Sequence, residues 1–317
     1  MMQMKESDSP DVSVVVPLGP RHESLEEICR GLRRVLNSAG TRHEVIFVED
    51  ATNVDTRQAV RRAAEQFPEV RVIRFQRRMG EAAALAIGEQ SARGDILVTL
   101  DPYLHVAIEE LPKLMAPLSD GVDLVCTWRF PRQERGLSGL MSEWFNAAAR
   151  WLSQVPVHDL NSRTRAMRRR LLQDMPLYGD LHRFLPIFAA RMGYRWLEIQ
   201  VPQHPGKREV GAFDPGSYLS RFLDLLTLAF LTRFVKRPLH LFGLVGTASL
   251  GTGLVIALYL AYERVALHLA IGHRPLLLLS VLLIVMGIQI GSIGLLGELM
   301  IFTHARDLKD YVVEEER

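Results

Sequence analysis

Apolar residues in the first hundred positions come in short unbroken runs, and between the runs they recur at helical spacing. The run Val12, Val14, Val15 and Val16, β-branched and closed by Pro17, predicts a strand over 12–16. Leu25, Ile28, Leu32, Val35 and Leu36 then fall on one face of a helix over 24–37, with Ser24 as N-cap and Glu27 completing a capping box. The same alternation continues with strands over 44–48, 70–75 and 96–100 and helices over 56–66 and 81–92. A further strand is expected over 124–127. Apolar strands alternating with helices predict a parallel, doubly wound α/β sheet. Such sheets bind ligands beyond the carboxyl ends of their strands, which brings Pro17, the acidic pair Glu49-Asp50 and Asp101 to one rim.

The pattern changes toward the C-terminus. Residues 217–235 are apolar with charges at intervals, as in a helix lying in a membrane interface. Residues 241–262 and 275–297 then contain no charged side chain, and each run reaches the roughly 20 residues that a bilayer requires. Lys236 and Arg237 precede the first run, Arg306 and Lys309 follow the second, and the loop between holds Arg264 and Arg274. That bias, with a polar start lacking an apolar leader, predicts a multi-pass protein of the cell (inner) membrane with its N-terminal domain cytosolic. The expected division is a cytosolic domain over 1–215, an interfacial helix over 216–237 and a two-helix anchor over 238–317.

Composition changes this picture little. At 48% apolar and 23% charged the chain is a folding sequence, and a net charge of +2 argues against nucleic acid as a partner. Cys29 and Cys126 lie far apart, with no metal-ligand spacing, and read as reduced, packed thiols.

Several segments together resemble the family-2 glycosyltransferases of GT-A fold, in particular the polyprenyl-phosphate glycosyltransferases related to dolichol-phosphate mannose synthase. They are Val14-Val15-Val16-Pro17, residues 44–50 ending in Glu49-Asp50, and Met79-Gly80 with the helix after it. Residues 92–101 ending in Asp101, the stretch 159–169 around Arg165, and Arg208 with Gly211 continue the likeness, and Pro238-Leu239 and Gly294 to Glu298 complete it. The resemblance implies a GT-A, Rossmann-like domain that moves a sugar from a nucleotide-sugar donor to a polyprenyl phosphate at a membrane. The implied partners are the nucleotide sugar, the lipid phosphate and the membrane; the oligomeric state, a homo-oligomer included, stays open. Such an acceptor brings its own anionic nucleophile, so the protein has to hold phosphate and neutralise the departing diphosphate. Arginine suits the first task and a carboxylate-held Mg²⁺ or Mn²⁺ the second.

On this resemblance Pro17, Glu49, Asp50 and Asp101 are expected at the nucleotide, with Asp101 and Arg165 as catalytic residues and Arg129, Arg165, Lys207 and Arg208 at the acceptor phosphate. Glu49 also reads as a plain surface carboxylate and Asp101 as a turn carboxylate before Pro102. The family's second metal-motif aspartate and a glutamine beyond it are replaced here by Tyr103 and His105. A neutral phenol is no ligand for Mg²⁺ or Mn²⁺, whereas His105 beside Asp101 suits Mn²⁺ better than Mg²⁺. The departure leaves a second reading open: a weakened relative acting as a nucleotide- or lipid-binding partner or regulatory subunit.

Overall fold

The computed structural model describes residues 9–19, 22–50, 53–131, 137–173, 175, 179–204, 223, 225–229, 238–266 and 275–304. It divides into two compact units, Met1–Leu225 with Asp310–Arg317, and Leu226–Lys309.

In the first unit the predicted alternation forms. The strands β1 (Val12–Leu18), β2 (His43–Glu49), β3 (Val70–Arg74) and β4 (Ile96–Thr99) are separated by α1 (Leu25–Ser38), α2 (Val54–Gln66) and α3 (Glu81–Ser91). Ser24 caps α1 by accepting from the Glu27 N–H at 3.4 Å, and Asn53 caps α2 through the Thr56 N–H at 2.8 Å. All five residues of the predicted apolar face of α1 are buried. After β4 come α4 (Leu111–Ser119), β5 (Leu124–Arg129), α5 (Leu137–Ser153), β6 (Arg165–Arg168), α6 (Arg169–Gln173), α7 (Leu185–Met192) and β7 (Trp196–Val201).

The strand order is β3-β2-β1-β4-β6-β5-β7. Strands β1 to β4 are parallel, as expected, but the sheet as a whole is mixed because β6 runs antiparallel to both β4 and β5. The cause is the route of the chain: it leaves the end of β5, forms α5 and re-enters the sheet from the same edge. Since β5 and β7 are parallel to each other and opposed to β6, six strands end at one rim and β6 begins there. Helices α1, α2 and α4 cover one face of β1 through Val12, Val14, Val16 and Leu18. Helices α3, α6 and α7 cover the other through Val15, Ile46, Leu97 and Met167. Gly94 permits the turn into β4 to lie on β1, since a Cβ there would stand 2.8 Å from the Ser13 nitrogen. Cys29 and Cys126 are free and buried, and burial pushes both thiols up to about 12.

The second unit contains two antiparallel helices, α8 (Pro238–Ala266) and α9 (Pro275–His304), both long and apolar enough to cross a membrane. Val255, Leu258, Leu278, Leu295 and Phe302 face outward and exposed, a surface suited to lipid rather than water. The inward contacts are glycines: a Cβ on Gly287 would lie 2.6 Å from the Leu250 nitrogen, and one on Gly246 would lie 2.8 Å from the Gly287 oxygen. The Ser249 hydroxyl donates to the Leu283 carbonyl at 2.9 Å across the pair. Glu298 accepts from the Leu239 N–H at 3.4 Å, so it caps the start of α8. Most of the expected interfacial helix over 216–237 lies outside the described residues.

Candidate functional site

Chain order and sheet order part company at β1. The chain steps from β1 to β2 to β3 on one side and then returns to place β4 on the other. Crossovers that diverge from neighbouring strands leave a crevice above their carboxyl ends. Pro17 lies at this crevice. The Val15 carbonyl accepts from the Leu100 N–H, so Pro17, two residues on, turns its backbone toward β4 just beyond the last β1–β4 pair, Val15 with Thr99. The absent N–H therefore costs no ladder bond there, and β1 runs past the expected stop to Leu18.

Asp101 leaves β4 at the same crevice and is 4% exposed. One of its oxygens accepts from the Tyr103 N–H at 3.1 Å, and its carbonyl accepts from the Leu104 N–H at 3.0 Å. Leu104 adopts φ 49°, a left-handed conformation that closes the turn and carries His105 back toward Asp101. His105 Nε2 lies 3.8 Å from Asp101 Oδ2, and its ring stacks on Tyr103 with centroids 5.9 Å apart. A bridge from Val106 to Gln203 and a hydrogen bond from the His204 N–H to the His105 carbonyl tie this loop to the exit of β7. A carboxylate and an imidazole at this distance are donor types that suit Mn²⁺ better than Mg²⁺. No group of three or more His, Cys, Asp or Glu side chains with that geometry occurs among the described residues.

The acidic pair at the end of β2 separates into two environments. Asp50 accepts from the Met79 and Gly80 N–H groups at 2.6 and 2.9 Å, fixing the loop that opens α3. Glu49 is fully buried and paired with Arg74 at 2.5 Å, so the surface-carboxylate alternative does not hold. Arg77 and Arg78, in the loop between β3 and α3, are exposed.

At the far side of the rim Arg129 ends β5. Its guanidinium forks onto Asp159 at 2.8 and 3.1 Å, with both residues buried. Beside them His158 bonds Glu198 through Nδ1 at 2.8 Å and stacks on Trp128 with centroids 4.3 Å apart. Arg165, the first residue of β6, pairs with Thr99 and Cys126 and is buried. It donates to the carbonyls of His182, Arg183 and Leu160 at 2.6, 3.1 and 3.3 Å, tying two segments distant in sequence to the start of β6. Burial holds the Arg165 guanidinium below its ordinary pKa, while Cys126, Asp159, Glu89 and Glu198 pull the other way. Thus Pro17, Glu49, Asp50, Asp101, His105, Arg129 and Arg165 share one edge of the sheet, whereas Lys207 and Arg208 lie outside the described residues.

Three participants escaped the sequence reading: Asp159, Arg74 and Glu89. Asp159 had a signal, because it opens the stretch 159–169 that surrounds Arg165. Glu89 had none, since a carboxylate in a helix ordinarily reads as solvent-facing.

A family model for glycosyl transferase family 2 matches residues 13–178, which cover β1 through β6. Dodecaprenyl-phosphate galacturonate synthase of Rhizobium johnstonii is 28% identical over 96% of this chain and 92% of its own length. Undecaprenyl-phosphate 4-deoxy-4-formamido-L-arabinose transferase of Pseudomonas paraeruginosa is 30% identical over 90% of this chain and 84% of its own. Among solved structures, glucosyl-3-phosphoglycerate synthase of Mycobacterium tuberculosis, in complex with Mn²⁺, UDP and glucosyl-3-phosphoglycerate, superposes with a TM-score of 0.55 at 19% identity. It covers 70% of this chain and 80% of that one. A mannosyltransferase of Pyrobaculum calidifontis with GDP-Man and Mn²⁺ gives a TM-score of 0.51 at 23% identity, covering 71% and 64%. Both structures share the fold of the first unit. With the matched model spanning more than half of its length, the chain belongs to glycosyl transferase family 2 and is a glycosyltransferase of GT-A fold.

Proposed function

We propose that this glycosyltransferase moves a sugar from a nucleotide-sugar donor onto a polyprenyl phosphate held in the membrane. The single observation that carries the reading is the pairing, in one chain, of a GT-A rim with two helices of membrane-crossing length. The relatives named for dodecaprenyl and undecaprenyl phosphate match across both parts. In this reading both helices cross the bilayer and the catalytic domain stands on the cytosolic side.

The donor lies in the crevice between β1 and β4. Pro17 forms its floor, Asp50 fixes the loop before α3 beside it, and Asp101 faces the diphosphate. Asp101 and His105 hold Mn²⁺ when it is bound, and the ion supplies charge neutralisation for the departing diphosphate. An acceptor phosphate oxygen attacks the anomeric carbon, and the bond from that carbon to the diphosphate oxygen breaks. Its electron pair leaves with the nucleoside diphosphate. Because the nucleophile is already anionic, no side chain has to remove a proton, and the protein's task is alignment. Arg129, paired with Asp159, serves the acceptor phosphate, a role this reading also gives to Lys207 and Arg208. Arg165 holds Leu160, His182 and Arg183 in place through their carbonyls.

The relatives are named as a synthase and a transferase, which favours catalysis over a purely binding role. Thermal unfolding of the detergent-purified chain against UDP, GDP and their sugars, with and without Mn²⁺, tests the donor half. One nucleotide class should raise the melting temperature, since saturation at 100 times Kd adds about 2.7 kcal/mol. Mn²⁺ should enlarge that shift in the wild type but not in Asp101→Asn or His105→Ala. A flat response to every nucleotide sinks the reading.

A further inference from the structure

Helix α9 carries a primary amide in the middle of its apolar run. Gln289 stands at the midpoint of Pro275–Thr303, the stretch of membrane-crossing length, and is exposed. At about 100° of rotation per residue it lies across the helix from Gly287 and Gly291, two positions away on either side, and so points away from the seam with α8. Neighbouring hydroxyls are satisfied within the helix pair: Ser280 donates to the Leu277 carbonyl at 2.7 Å, Ser292 to Ile288 at 2.9 Å, and Ser249 crosses to Leu283. The Gln289 amide, with two N–H donors and an acceptor oxygen, makes no hydrogen bond among the described residues. Leu278, Leu282, Val285, Ser292 and Leu296 continue its face along the helix, all exposed and uncharged. Their spacings with Gln289 alternate between four and three, the pattern by which one helix seats along another.

We infer that this face of α9 packs against the same face of a second copy of the chain, with the two Gln289 amides bonded to each other inside the membrane. This rests on the reading that α9 crosses the bilayer. Lipid tails offer an amide neither donor nor acceptor, so a Gln289 left facing them stays unsatisfied. A second copy satisfies it in full. An amide both donates and accepts, so across a two-fold axis each N–H meets the oxygen of the other. Such bonds between polar side chains hold membrane helices together. With Ser292 engaged by its own helix, Gln289 is the one group on the stripe that can choose a partner, and a single polar residue in an apolar seam fixes register.

The test is disulfide cross-linking of the full chain in its membrane, with copper phenanthroline as oxidant. Cys29 and Cys126 are buried, so the wild type sets the background. Val285→Cys should yield a covalent species of twice the chain's mass, whereas Leu295→Cys, exposed beside the stripe, should not. Adding Gln289→Leu to Val285→Cys should lower that yield several-fold, and Gln289→Asn in its place, which keeps the amide, should preserve most of it. No cross-link at Val285→Cys, an equal yield at Leu295→Cys, or a yield indifferent to Gln289→Leu overturns the inference. So does a cross-linked species of any other mass, which would assign the face to a different protein. A membrane-impermeant maleimide applied before oxidation separates two failures. Labelling of Val285→Cys would show that α9 is not in the bilayer and remove the membrane reading together with the pairing. Protection of Val285→Cys without cross-linking would remove the pairing alone.

Discussion

Glu89 lies on α3 with its carboxyl buried and Oε2 lacking a hydrogen-bond partner among the described residues. Burial raises its pKa from 4.5 to about 8 against the opposing pull of Arg165. The folded chain therefore keeps a proton that the unfolded chain has released between those values. This contribution to stability is full below pH 4.5 and is lost as pH rises through 8. Denaturation midpoints should fall from pH 5 to pH 8 in the wild type, and Glu89→Gln should flatten that slope and be the more stable protein at pH 8. Equal slopes would refute the assignment. Arg129 and Asp159 make a second residue-scale case, because a buried pair is costly to break from one side. Arg129→Ala should cost about 3–5 kcal/mol, and pairing Arg129→Met with Asp159→Leu should cost less than Arg129→Ala alone. A urea-denaturation cycle decides this, and additive losses would contradict it. Asp50 and Asp101 were legible in the sequence as rim carboxylates because each follows an apolar strand. Their detailed environments were not, since that of Asp50 depends on the Met79 N–H, remote in sequence, and that of Asp101 on a left-handed conformation at Leu104, a residue type that gives no sign of it.

The elements that the sequence announced are those whose burial follows a simple period. Strands β1 to β4 and helices α1 to α3 formed close to their expected bounds. Strand β6 could not be read this way. Arg-Ala-Met-Arg has charged ends, yet it is a central strand because the two terminal nitrogens of Arg165 donate to three carbonyls and the Arg168 guanidinium donates to the Leu118 and Val122 carbonyls. Helix α5 hides its rule too, with tryptophans facing out and Asn146 facing in. In the hairpin of α8 and α9 the runs were plain, but the glycine seam shows only in the packing. Gly287→Leu would drive a side chain into the Leu250 backbone 2.6 Å away. Its cost should exceed the roughly 1–3 kcal/mol of ordinary overpacking. Melting of the detergent-solubilised protein measures this, and an unchanged transition would show that the helices do not need the seam.

For the whole molecule, the decisive arrangement is the reversal of strand order at β1, which opens a crevice between Pro17 and Asp101 with Asp50 on the neighbouring strand end. The alternation of strands and helices foretold a rim, whereas the mixed sheet beyond β4 brings Arg129, Asp159 and Arg165 to it as well. In the proposed function, gripping a diphosphate and presenting a phosphate nucleophile therefore fall to one edge of the sheet. The central claim is transfer itself. A labelled nucleotide sugar incubated with the purified chain and a long-chain polyprenyl phosphate should yield label in the organic phase as a lipid-linked sugar phosphate. One nucleoside diphosphate should be released per sugar moved, and Asp101→Asn should abolish both. Release of nucleoside diphosphate at the same rate without the lipid, with no label ever reaching it, would contradict the account.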